Sequence, residues 1–277
     1  MGLLTNKIKS FFDYYIDSSL HVSLCVIFYI VSINLSNQIH PIWEDLTFVL
    51  FTTFFTYNFI KFYEFLVSKN KPISFLLKIF FLKASFALII ALYLFFNLSI
   101  SKQIIVTITA FVTVLYTIPI IQNFTLRNNP ILKIITVAFC WTMLTVIFPF
   151  VEILELIDLI YYSLLIFCLV IAQIIPFEIR DVNKDKNYVK TIVHEYGIKN
   201  SKGIGYFALI FIFITTITLY FSSSEYILKY SILLTILIVT VLLNFASKKQ
   251  GKYYSSFVVE SVPMYWLLIE LGLQFIV

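Results

Sequence analysis

The sequence predicts an all-α fold, a polytopic membrane helix bundle of about nine transmembrane helices with its N-terminus cytoplasmic. Three observations predict it. Hydrophobic residues make up 60% of the 277 positions and charged residues 13%, with a mean hydropathy of +0.94, more apolar surface than a soluble domain of this length can hide. The apolar residues run in continuous stretches instead of alternating, which argues against a transmembrane β-barrel. The basic residues gather in alternate loops, as they do in chains that cross a bilayer repeatedly.

A helix that crosses the hydrocarbon core needs roughly 20 mostly apolar residues. Nine segments meet that need, at about 20–39, 42–66, 73–98, 103–121, 131–150, 156–177, 203–221, 227–246 and 255–277. They fill the chain, so 1–277 reads as one membrane domain. The basic start, Lys7 and Lys9, is followed by Asp13 and Asp17 and then a full-length span, which is not a cleavable signal peptide. Gly2 is followed by Asn6 where a myristoylation signal has Ser or Thr. His21 and His40 flank the first span and read as interfacial. Cys25, Cys140 and Cys168 lie in three different segments, with no Cys/His spacing suited to zinc, and read as buried thiols acting as small hydrophobes. The last segment holds two acids. Glu260 sits where the helix begins and can snorkel. Glu270 lies about ten residues deeper, where a charge is costly, and two readings stand: it faces a cavity, or it packs protonated or hydrogen-bonded.

Charge sorts the loops. All of the 20 Lys and Arg residues except Lys102 and Lys229 fall in the N-terminal tail, between the end of segment 2 and the start of segment 3, or around the loops after segments 4, 6 and 8. The opposite loops carry Glu44, Asp45, Glu152, Glu155, Asp158 and Glu225. The basic side is expected to be cytoplasmic, in a multi-pass protein of the cell membrane. Most of these lysines read as topology and anionic-lipid contacts. The loop after segment 6 is denser than topology requires.

That loop opens with Glu178-Ile-Arg180-Asp181-Val-Asn-Lys184-Asp185. If helix continues past Pro176, then Glu178, Asp181 and Asp185 stand at i, i+3 and i+7 and share one face. Carboxylates so gathered repel one another unless a cation joins them. Mg²⁺ suits them, because it takes hard oxygen ligands from one or two carboxylates and completes its shell with substrate phosphates. Arg180, Lys184, Lys186 and Lys190 would neutralise remaining phosphate charge. The alternative is a solvated loop of paired charges.

The acidic run, followed by Thr191 and Gly197, resembles the second aspartate motif of the UbiA superfamily, intramembrane prenyltransferases of about nine helices. Thr191 to Gly197 keeps that family's interval. Asp185 to Thr191 is one residue shorter, and the usual intervening glycine is absent. Leu115-Tyr116-Thr-Ile-Pro119 resembles the family's Tyr-Ser-x-Pro element; its following lysine is Ile120 here, with Arg127 or Lys133 as candidate substitutes. Trp141 resembles a recurrent tryptophan, though a packing aromatic reads equally well. The first motif departs most. Tyr57-Asn58 keeps the asparagine, and Lys71-Pro72-Ile73 resembles the closing element, but Phe59 and Phe62 stand where aspartates are expected. Glu64 is off the face of Asn58 and reads as the ion-pair partner of Lys61.

The resemblance implies membrane-embedded, Mg²⁺-assisted transfer of a prenyl group from a polyprenyl diphosphate to an aromatic or other lipophilic acceptor. It assigns Glu178, Asp181 and Asp185 to metal, Asp181, Asp185 and Arg180 to catalysis, and Asn58, Lys61, Tyr116 and Lys190 to substrate. The expected partners are that diphosphate, the acceptor and the bilayer, with no nucleic acid. Two other readings stand beside it: a catalytically silent relative that binds an isoprenoid or quinone lipid, favoured by Phe59 and Phe62, and a transporter, for which no paired repeat is evident.

Overall fold

The computed structural model describes residues 2–67, 74–119, 125–182, 191–220 and 226–276, with the side chains of 2–8, 64, 65 and 67 excepted. Helix is found in the described part of each apolar segment. In chain order the elements are α1 (Gly2–Asp17), α2 (Leu20–Ser36), α3 (Trp43–Val67), α4 (Phe75–Phe95), α5 (Ile100–Thr117), α6 (Pro130–Thr142), α7 (Phe148–Phe150), α8 (Leu156–Asp181), α9 (Ile192–Tyr220), α10 (Tyr226–Phe245) and α11 (Val262–Ile276). A π-helical turn, Met143–Ile147, joins α6 to α7, and another, Tyr254–Val259, precedes α11. Among the described residues six helices are long and apolar enough to cross a membrane: α4, α5, the run Pro130–Phe150, α8, α9 and α10. Counting the bent pair of α1 and α2 as one span makes seven. There is no strand among the described residues.

Local chemistry sets several helix starts. The Ser74 and Ser99 hydroxyls accept from the N–H groups of Leu77 and Lys102, and Asn129 accepts from Ile131 and Leu132 just before Pro130. Each satisfies amide groups that a helix's first turn leaves without partners. Within the spans, Thr and Ser side chains bond back to the carbonyl one turn earlier, as Thr109 does to Ile105 and Thr142 to Ala138. That is how polar residues are tolerated in an apolar setting.

The helices form a ring. α3 packs on α2, α2 on α11, α11 on α10, α10 on α9, α9 on α8, α8 on α6, and α6 on α5. Hydrogen bonds and an ion pair close it: Trp141 Nε1 donates to the Tyr57 hydroxyl at 3.0 Å, and Lys102 of α5 reaches Asp45 of α3 at 2.6 Å. α8 is the most buried span. Gly205 lets α9 approach it: a Cβ there would lie 2.7 Å from Leu243 Cδ2 and 3.5 Å from Ala172 Cα. α4 stands outside the ring, packed on α3.

α1 is an element the sequence reading did not assign. It leaves α2 at 65°, through a turn in which Ser19 has φ 68°. Phe12 packs edge-on against Tyr253 and Phe257, and Tyr14 against Phe80, so α1 lies across one end of the bundle. His21, expected at the interface, is instead buried behind this helix, its Nδ1 3.0 Å from the Tyr15 hydroxyl.

Candidate functional site

Two polar layers mark the two ends of the bundle. At one end Asp45 and Lys102 form a buried pair, and Ser99 donates to Glu152 at 2.6 Å. At the other end the chain brings together the ends of α3 and α8 with the starts of α2, α9 and the last helix. Asn58, Lys61, Glu178, Arg180, Asp181 and Glu260 all lie there.

α8 continues unbroken through Pro176 to Asp181. Proline deletes one helical N–H. Gln250 Nε2 donates to the Pro176 carbonyl at 2.8 Å, tying the end of α8 to the loop before the last helix. Glu178 and Asp181 are both on the helix, three residues apart, as the spacing predicts. Their surroundings differ. Glu178 is buried, with Oε1 2.7 Å from Lys133 Nζ on α6 and Oε2 accepting from the Ile192 N–H at 3.2 Å. Asp181 is half-buried and holds the Arg180 guanidinium through both oxygens, at 2.9 and 2.7 Å. That guanidinium lies 5.1 Å from the Phe177 ring centre. Thr191 is buried and pairs its hydroxyl with His194 Nδ1 at 2.9 Å. Asp185 and Lys190, with Lys184 and Lys186, lie outside the described residues.

On α3, Asn58 is buried, and its amide nitrogen donates to Ser18 O at 2.9 Å and Phe54 O at 2.8 Å. Its Oδ1 has no hydrogen-bond partner among the described residues. Lys61 donates to Asp17 O at 3.0 Å and Ser19 Oγ at 2.7 Å. Both side chains therefore hold the turn between α1 and α2. The Glu64 side chain, expected to pair with Lys61, and the Lys71-Pro72-Ile73 element lie outside the described residues. Where the resemblance expects aspartates, Phe62 stacks on Phe81 of α4 with ring centres 4.1 Å apart, and Phe59 stacks on Phe55. On α5, Tyr116 is buried, with the Arg127 guanidinium 5.9 Å from its ring centre. The two candidate substitutes for the missing lysine thus take different stations, Arg127 on Tyr116 and Lys133 on Glu178.

Sequence reasoning missed one member of this layer. Glu260, read as a snorkelling acid, is half-buried in this layer, within electrostatic reach of Lys61 and Arg180. The signal was present in the sequence, a carboxylate at the start of an apolar run, but its partners lie 80 and 199 positions away. Distant side chains reach carbonyls of the π-helical turn before it. Gln173 Nε2 donates to Val259 O at 3.3 Å while its Oε1 accepts from Tyr29, and His21 Nε2 sits 3.3 Å from Phe257 O. Such turns recur at functional sites.

Among the described residues the donors, as arranged, do not fit a magnesium ion. Both oxygens of Glu178 and both of Asp181 already face cations or an N–H, and among the described residues no three His, Cys, Asp or Glu side chains group to hold a metal. Mg²⁺ demands near-octahedral oxygen coordination.

No protein-family model matches the chain, and no curated protein matches it. Solved structures do. A UbiA homologue from Archaeoglobus fulgidus bound to GPP and Mg²⁺ superposes with a TM-score of 0.67 at 12% identity, over 94% of this chain and 98% of that one. The apo UbiA homologue from Aeropyrum pernix K1 gives 0.65 at 14%, over 92% and 98%. A digeranylgeranylglyceryl phosphate synthase structure gives 0.60 at 16%, over 96% and 98%. The class is thus a multi-pass helical membrane protein with the UbiA fold, matched along nearly its whole length.

Proposed function

We propose that this chain is a UbiA-type intramembrane prenyltransferase, moving a prenyl group from a polyprenyl diphosphate to an aromatic or other lipophilic acceptor. The observation that carries the reading is whole-chain likeness to a fold seen with GPP and Mg²⁺ bound in the Archaeoglobus fulgidus homologue. In the reaction the bond from C1 of the prenyl chain to the diphosphate oxygen breaks, and its electron pair leaves with the diphosphate. A bond forms from C1 to the acceptor, which releases a proton. The leaving group's charge is the main demand on the protein, and fixed cations aimed at it would supply most of the rate enhancement. Arg180, Lys61 and Lys133, with Lys190 from the adjoining loop, are the cations that would meet it. Asn58, whose unpartnered Oδ1 can accept from an O–H or N–H of the prenyl acceptor, and Tyr116 would orient the substrates. The resemblance assigns Mg²⁺ to Glu178, Asp181 and Asp185, whereas Glu178 and Asp181 as arranged hold Lys133 and Arg180.

A second reading has its own observation. Phe59 and Phe62 remove one carboxylate cluster and stack on neighbouring rings, which favours a silent relative that binds an isoprenoid or quinone lipid without turnover.

Purified protein in detergent with labelled farnesyl or geranylgeranyl diphosphate, an acceptor panel, and either Mg²⁺ or chelator separates the two. Turnover is the expected result, with Arg180→Ala lowering kcat about 10²–10³-fold, the loss typical of one preorganised donor. Mg²⁺-dependent turnover abolished by Asp181→Asn and Asp185→Asn supports the carboxylate assignment, and activity surviving both substitutions sinks it. Tight binding without release of diphosphate selects the second reading.

A further inference from the structure

We propose that a cavity bounded by α1, α2, α3 and α4 is a binding site for an anionic phospholipid, separate from the reaction site. The cavity is about 290 Å³, close to the lower bound of ordinary ligand sites. Its walls are mostly apolar, with Leu50, Phe51 and Phe54 of α3 facing Phe80, Phe86 and Ala87 of α4. Its polar members are Tyr14, Ser18, Ser23 and Lys83.

The cavity opens to the side of the bundle. Phe86 and Leu20, both in its lining, are exposed, and α4 is the least buried of the apolar spans. In a bilayer that opening meets lipid chains, so the apolar wall has an occupant at hand.

Lys83 decides which lipid. It lies eight residues after the start of α4, about 12 Å along the helix axis at the usual rise. Its ammonium donates to the Tyr14 hydroxyl at 2.8 Å, and among the described residues no carboxylate pairs with it. A neutral phenol takes one of its three N–H donors and supplies no counter-charge. Basic residues within a span sit where they find an anion, a cavity or the interface. A lipid phosphodiester supplies the anion, and the acyl chain beneath it fills the apolar wall. A headgroup of net negative charge leaves the pair balanced, whereas a zwitterionic one brings its own cation to the same place. Charge complementarity and the side opening therefore point to one occupant, an acidic phospholipid with one chain in the cavity.

The test uses the full chain in neutral detergent, titrated with phosphatidylglycerol or phosphatidylcholine and read by native mass spectrometry, with thermal unfolding recorded for every variant. Phosphatidylglycerol is expected to bind about fivefold more tightly, the factor one basic residue near a membrane surface contributes. Lys83→Ala should erase that preference and Lys83→Arg should keep it. Lys78→Ala, on the same helix but not lining the cavity, should leave it unchanged. Ala87→Phe should weaken binding of both lipids by filling the space; if that variant does not fold, the Lys83 pair still decides. An unchanged preference in Lys83→Ala, or equal binding of the two lipids by the unsubstituted protein, overturns the proposal. So does displacement of phosphatidylglycerol by farnesyl diphosphate at equal concentration, which would make the cavity a prenyl-diphosphate site.

Discussion

Lys102 and Asp45 show what a single contact does in this bundle. Charge sorting puts Lys102 on the acid-rich side, and the structure gives it a partner there: a 2.6 Å buried pair, with the ammonium 5.6 Å from the Phe148 ring centre. Removing one partner leaves the other charge buried and unpaired. Lys102→Ala should therefore cost about 3–5 kcal/mol, whereas an apolar double replacement, Lys102→Met with Asp45→Leu, should recover much of it. Thermal unfolding in detergent checks both, and a single variant as stable as the parent would show that water reaches the site. The same scale explains how far the candidate site was legible. Glu178 and Asp181 could be picked out because carboxylates at i and i+3 stand out in an apolar chain. Their engagement by Lys133 and Arg180 could not be, at least for Glu178, because Lys133 comes from a helix 45 positions earlier.

Elements were legible where hydropathy alone forms them. The apolar runs are helical where described, because a backbone in lipid must satisfy its own N–H and C=O groups. α1 was not legible: its helix depends on Phe12, Tyr14 and Tyr15 finding aromatic partners on three other elements. Nor were the π-helical turns; carbonyls of the one before α11 receive His21 and Gln173 from other helices. Helix spacing gives the prediction at this scale. Gly205→Ala would press a Cβ against Leu243, whose terminal methyl can yield, so the loss should be small. Gly205→Leu would overpack α9 against α8 and α10, and should cost about 1–3 kcal/mol. A stable Gly205→Leu would mean that the helices separate without penalty.

For the molecule as a whole, the N-terminal helix is tied to the far end of the chain. Asp13 accepts from Lys252 at 2.6 Å and from the Tyr253 hydroxyl at 2.7 Å. Those hydrogen bonds hold the Asp13 carboxyl below its ordinary range and raise Lys252. A lowered carboxylate contributes its attachment above its unfolded value, and loses it as pH falls through the folded one. α1 should thus loosen in acid below the ordinary carboxylate range, at a pH where Asp13→Asn is already loose and pH-insensitive. Hydrogen exchange of residues 9–17 measures this; identical pH profiles for the two proteins would remove Asp13 from the attachment.

The sequence by itself determined the class: an all-helical membrane bundle, with its polar residues sorted to alternate loops and an acidic run at the end of one span. Hydrophobicity and helical period are local properties, and each segment declares them alone. Only the tertiary structure decided what the polar residues do. It turned Asn58 and Lys61 toward the α1–α2 turn, placed Lys133 on Glu178, brought Glu260 within electrostatic reach of Lys61 and Arg180, and opened a cavity beside Lys83. In a low-dielectric interior every buried charge must find a partner, and the partner is chosen by which helices the fold makes neighbours.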